Sequence, residues 1–87
     1  MARFEVIFKR SVAKDLRHIP KQNVQRILAR INALADDPRP PGVEKLSAQE
    51  RYRVRQGIYR ILYEIEDDRL LIVVVKVGHR RDAYRRK

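Results

Sequence analysis

The run Tyr52-Arg-Val-Arg-Gln-Gly-Ile-Tyr-Arg-Ile-Leu-Tyr63 alternates bulky apolar residues with arginines on both sides of a single glycine. Side chains with a period of two belong to strands, and a glycine between two such runs predicts a hairpin. Closing the hairpin through Gln56-Gly57 sets Arg53 across from Arg60, with Arg51 and Arg55 on the same face. Tyr52, Val54, Tyr59, Ile61, Tyr63 and Ile65 then point to the other face. Like charges opposed across a ladder weaken it. A sheet that accepts such repulsion is expected to meet a polyanion there, with phosphate the leading candidate; the plainer alternative is arginines splayed into solvent.

The remaining elements follow from periodicity and turn chemistry. Arg3 to Phe8 reads as a first strand with Phe4, Val6 and Phe8 on one face. Ser11 is placed to cap a short helix carrying Val12, Leu16 and Ile19 on one side, and Pro20 separates it from a second helix. In that second helix Val24, Ile27, Leu28, Ile31, Leu34 and Ala35 form one apolar stripe, opposite Gln22, Gln25, Arg26 and Arg30. Asp36-Asp37-Pro38 stops it, and Pro40-Pro41-Gly42 makes a stiff loop. Three strands follow, at about Glu50 to Arg55, Ile58 to Ile65 and Arg69 to Val77, with Gln56-Gly57 and Asp67-Asp68 as the turns.

The order β-α-α-β-β-β predicts a single α+β domain spanning residues 1–87: a two-helix hairpin on a twisted, largely antiparallel four-stranded sheet. The first strand is free to join beside the third or the fourth. If Asp67-Asp68 is a two-residue turn, Lys76 falls on the core side while Val73, Val75 and Val77 fall on the arginine side. Either that turn is longer, or the open face is itself half apolar.

Composition narrows the partners. The 87 residues carry a net charge of +10, and arginine supplies 15 of the 21 basic residues. Guanidinium favours planar, bidentate contacts with phosphate, so nucleic acid or an acidic protein is the expected partner. The longest apolar run, Leu70 to Val75, is six residues, far below the roughly 20 needed to cross a bilayer, so no membrane partner is expected. Without cysteine there are no disulfides, thiolate nucleophiles or Cys-ligated metals. The first residues lack the apolar core of a signal peptide, so a cytoplasmic location is expected, with neither cofactor nor metal.

Two segments together carry a resemblance. Gly57-x-Tyr59-Arg60, followed after an acidic turn by Val77-Gly-His-Arg-Arg-Asp-Ala-Tyr84, resembles the RelE branch of the RelE/ParE type II toxins, and the match extends over essentially the whole chain. The resemblance implies a ribosome-dependent endoribonuclease that cuts messenger RNA in the A site, neutralised by a RelB-like acidic antitoxin. Carried over by position, the cleavage residues are Arg53, Arg55, Arg60, Arg80 and Tyr84. His79 is the side chain of the motif whose pKa suits proton transfer near neutrality. Arg51, Arg81, Arg85, Arg86 and Lys45 are expected to bind RNA, the tail residues mainly by long-range attraction. Some relatives carry a basic residue where this chain has Ser47. Two other readings stay open: a ParE-like inhibitor of DNA gyrase, and an RNA- or ribosome-binding module without catalysis.

Overall fold

The β-hairpin forms, but it turns one residue later than Gln56-Gly57. In the computed structural model, which describes residues 3–46 and 51–79, β3 (Arg51–Gln56) and β4 (Tyr59–Glu66) flank the two-residue turn Gly57-Ile58. Gly57 has φ +63°, the left-handed conformation that primed hairpin turns require and that glycine adopts without strain. With glycine in the first turn position, Arg55 pairs with Arg60, and Arg53 pairs with Leu62. The expected Arg53–Arg60 register is therefore wrong by two residues. An even slip leaves every side chain on its face, so Tyr52, Val54, Ile61, Tyr63 and Ile65 are buried as expected.

The sheet has five strands, in the order β1-β5-β4-β3-β2. β1 (Glu5–Phe8) runs parallel to β5 (Leu71–His79), and all other pairings are antiparallel. The strand beyond the expected four is β2, only Glu44–Lys45, which pairs with the outer edge of β3. Between β4 and β5 the chain makes a 3-10 turn over Asp67–Arg69 and passes through Leu70 at φ 51°. This four-residue connection is longer than Asp67-Asp68, yet length alone would still put Lys76 opposite Ile61. A β-bulge resolves the conflict: Tyr63 pairs with Val74, but Leu62 pairs with Lys76, so Val75 is the extra residue. Ile72, Val74 and Val77 all reach the core as a result.

Two helices cover one face. α1 (Arg10–Arg17) begins after Lys9, with no side-chain cap, so Ser11 is not the cap. α2 (Lys21–Leu34) follows Pro20, whose carbonyl accepts from Asn23 and Val24. Val12, Ile27, Ile31 and Leu34 pack on the sheet residues, while Leu28 and Phe8 lie at the margin, 40% and 45% exposed. Each fully buried aliphatic side chain contributes about 1.5–3 kcal/mol. Where β1 ends, α1 closes the edge of β5. Asp15 accepts a hydrogen bond from the Val77 amide (3.2 Å) and pairs with Lys76 (3.0 Å).

The loop after α2 is clamped to the sheet, and this places β2. The Tyr63 hydroxyl donates to the Pro38 carbonyl (2.6 Å), and burial pushes that phenol well above its ordinary pKa. Arg39 donates to the Tyr52 hydroxyl (3.0 Å) and to both oxygens of Asp67 (3.1 and 2.9 Å). Gly42, at φ +88°, then turns the chain into Glu44. Among the described residues no helix is long and apolar enough to cross a membrane.

Candidate nucleic-acid interface

On the face away from the helices, Arg51, Arg53 and Arg55 project from alternate positions of β3, and Arg60 projects from β4 opposite Arg55. Alternate residues of one strand lie about 7 Å apart and directly opposed ones about 5 Å, so Arg53, Arg55 and Arg60 occupy one small area. Arg60 is the buried charged residue among those described, at 9% exposure. The Arg53 side chain is 12% exposed, and Arg55 is exposed. A charge nearly withdrawn from water is costly unless an anion compensates it.

One anion is supplied by the chain itself. Glu44 on β2 sits opposite Arg53, and a single carboxylate oxygen accepts from both Arg53 Nε (2.9 Å) and Arg53 Nη2. Its pKa is lowered from the ordinary carboxylate value, first by the hydrogen bond from Arg53, then by the charge of Arg53, and further by Arg55 and Arg60. Arg53 therefore grips a carboxylate beside Arg55 and Arg60, and a phosphate oxygen is equally suited to fill that place. Sequence reasoning missed Glu44, because only the pairing of β2 with β3 brings it there; the signal available was an isolated acid leaving the Pro40-Pro41-Gly42 loop.

The other expected residues divide. Arg51 lies on the same face but is engaged by Glu64 across the ladder, Nε to Oε2 at 3.1 Å. Lys45 is turned the other way, its ammonium 6.0 Å from the Tyr52 ring centroid. His79 pairs with Tyr59, and the two rings meet edge-on at 6.3 Å. That pair lies on the helix side of the sheet, since the neighbouring pair, Arg60 and Gly78, occupies the arginine side. His79 is thus not brought together with Arg53, Arg55 and Arg60. Arg80, Arg81, Tyr84, Arg85, Arg86 and Ser47 lie outside the described residues.

The remainder of the open face is mixed, with Glu64 paired to Val73 and Lys76 paired to Leu62, so each of the two sequence alternatives holds in part. Leu62 and Val73 are half-buried there, and Ile7, paired with Val73, is 43% exposed. Among the described residues no group of three or more His, Cys, Asp or Glu could hold a metal ion.

The sequence model of the family described as ParE toxin of type II toxin–antitoxin system, parDE, matches residues 6–84. The chain belongs to this toxin family. Its relatives carry RelE names: toxin RelG of Mycobacterium tuberculosis is 36% identical over 89 residues, covering 95% of this chain and 98% of that one. The archaeal RelE–RelB complex of Pyrococcus horikoshii contains a similar chain, 25% identical, with TM-score 0.78 over 90% of this chain and 96% of that one. The isolated RelE toxin of Escherichia coli, 19% identical, shares the fold with TM-score 0.76 over 90% of this chain and 84% of that one. The α+β expectation and the RelE/ParE resemblance both hold. This toxin of the RelE/ParE superfamily keeps its arginine cluster on the sheet face that the helices leave open.

Proposed function

We propose that this toxin is a ribosome-dependent endoribonuclease that cuts messenger RNA in the A site. The observation that carries the proposal is the placement of Arg53, Arg55 and Arg60 together on the open sheet face, where Arg53 already holds a carboxylate. In the reaction, the ribose 2′-oxygen attacks the adjacent phosphorus and gives up its proton. The P–O5′ bond breaks and O5′ takes up a proton, leaving a 2′,3′-cyclic phosphate and a 5′-hydroxyl.

The arginines meet one requirement of this chemistry well and another poorly. Preorganised donors at a developing oxyanion are worth about 3–4 kcal/mol each when they are key. Guanidinium stays protonated, so none of the three is a base. Glu44, its pKa depressed by Arg53, is a weak proton acceptor while that pair is intact. The rate therefore rests on alignment and charge. A messenger held by the ribosome near attack geometry gains up to roughly 7–11 kcal/mol from positioning.

In this proposal Arg53, Arg55 and Arg60 hold the non-bridging oxygens. Arg80 supports the transition state at the leaving oxygen, and Tyr84 stacks on a base or orients the 2′-hydroxyl. His79, on the helix side, is given no proton to carry. The partner is an acidic RelB-like antitoxin, in keeping with the archaeal RelE–RelB complex that shares this fold.

Primer extension on messenger from translating ribosomes tests the proposal. Wild type should produce new ends, Arg60→Ala and Arg80→Ala should not, and uncut messenger with wild type refutes it. The ParE name of the matched family keeps gyrase inhibition as the second reading; a supercoiling assay unaffected by the toxin disposes of it.

A further inference from the structure

We propose that Glu44 is a built-in competitor for the anion that the arginine face binds: its carboxylate holds the Arg53 guanidinium in the free toxin, and a phosphate reaches that guanidinium as Glu44 is displaced. The inference rests on the reading that this face takes phosphate, and it adds a selectivity device to it.

The asymmetry of the pair is the first observation. The Arg53 side chain is 12% exposed and held within the ladder, whereas the Glu44 side chain is 53% exposed. The carboxylate can leave without opening the core. It also sits on a strand of two residues at the sheet edge. The second observation is the donor set. Nε and Nη2 of Arg53 both point at one Glu44 oxygen, the same fork that phosphate oxygens use, so one set of donors cannot serve both anions fully. The contrasting pair is Arg51–Glu64, which lies between two long paired strands with both side chains about one-third exposed, at 39% and 31%. That pair is fixed in the ladder, while Glu44 is poised at its rim.

Among the described residues Glu44 lies opposite Arg53 on β3 and feels the charges of Arg55 on β3 and Arg60 on β4; Lys45, its neighbour on β2, is turned to Tyr52. An anion that displaces Glu44 removes its hydrogen bond from Arg53, and the carboxylate pKa rises toward its ordinary value. Binding then takes up protons between the two values, so affinity grows as pH falls through the carboxylate range and is flat above it. A single weakly held phosphate competes poorly with a tethered carboxylate. A message strand held by many ribosomal contacts competes well. Glu44 therefore biases the toxin away from free RNA.

The test compares wild type with Glu44→Gln, using two probes: a fluorescent 2′-O-methyl oligouridylate, which cannot be cut and does not titrate near carboxylates, and inorganic sulfate. At neutral pH the variant should bind both about 2–5-fold more tightly, the span expected for an exposed ion pair. As pH falls from about 5 through the depressed Glu44 value, wild type should gain more affinity than the variant and approach it, because only wild type takes up the extra proton at position 44. The wild-type pH series needs no substitution and so guards against a folding defect. Equal or weaker binding by the variant, or a level wild-type profile, overturns the proposal. If sulfate behaves as described but the oligouridylate binds neither protein, the competitor stands for the anion site, and messenger cleavage on ribosomes decides the RNA reading separately.

Discussion

Replacing Arg60 by methionine separates the cost of this site to the fold from its value to the chemistry. Arg60 is 9% exposed and sits directly across the ladder from Arg55. Methionine keeps an unbranched apolar stem of similar reach and removes the charge. Relief of the opposed like charges is worth about 0.2–1 kcal/mol, and it is set against the contacts that the guanidinium gives up. The variant should therefore stay within about 1 kcal/mol of wild type in urea unfolding. Cleavage should move the other way. Loss of one preorganised cation at the phosphate costs about 3–4 kcal/mol of transition-state stabilisation, a rate loss of roughly 10²–10³-fold on programmed ribosomes. The measurement pairs an unfolding curve with a single-turnover cleavage rate on the same preparation. Wild-type cleavage by Arg60→Met would refute the claim that Arg60 meets the scissile phosphate. A loss of more than about 2 kcal/mol of stability would refute the claim that the site costs the fold about as much as it contributes.

Three further outcomes follow from the scaffold and the site. Tyr63→Phe removes the donor to the Pro38 carbonyl and should lower stability by about 1 kcal/mol, read as a lower urea midpoint; an unchanged midpoint contradicts the clamp on the loop. Asp15→Ala leaves the Val77 amide and the Lys76 ammonium without their carboxylate, should cost about 1–3 kcal/mol, and should speed hydrogen exchange at Val77 selectively. Glu44 has a folded-state pKa below the ordinary carboxylate value because of Arg53, so its contribution to stability is present above that ordinary value and is lost as pH falls through the depressed one. Carbon-detected NMR titration should show its midpoint below 4.5, the reference value for a free glutamate, and a midpoint at or above 4.5 contradicts the Arg53 contact.

Much of the architecture is legible in the chain because period-two and period-3.6 patterns survive small errors of register. The hairpin register differs from the expected one by two residues, yet Tyr52, Val54, Ile61, Tyr63 and Ile65 lie in the core as expected, since only an odd slip exchanges faces. The α2 stripe likewise names Ile27, Ile31 and Leu34 without tertiary knowledge. The phase of β5 was not legible. Leu70 to Val75 is apolar at every position, so no alternation marks the bulge at Val75 that moves Lys76 out and Val77 in. The side taken by His79 follows from pairing with Tyr59 and required the ladder itself. β2 is too short to leave a pattern, and with it Glu44 was lost from the predicted site. Alternation and opposed charges set Arg53, Arg55 and Arg60 on one face, the resemblance supplies their cleavage role, and the fold does bring them to one face, although through an Arg55–Arg60 pair instead of the expected Arg53–Arg60 pair.

The most direct test of the account is the chemistry of the messenger ends formed by the wild-type toxin with and without ribosomes. An alignment-and-charge enzyme built on Arg53, Arg55 and Arg60 should generate 2′,3′-cyclic phosphates and 5′-hydroxyls on ribosome-bound messenger, and few or none on the same RNA free in solution. Intact messenger on ribosomes, or ends bearing a 5′-phosphate, would contradict it.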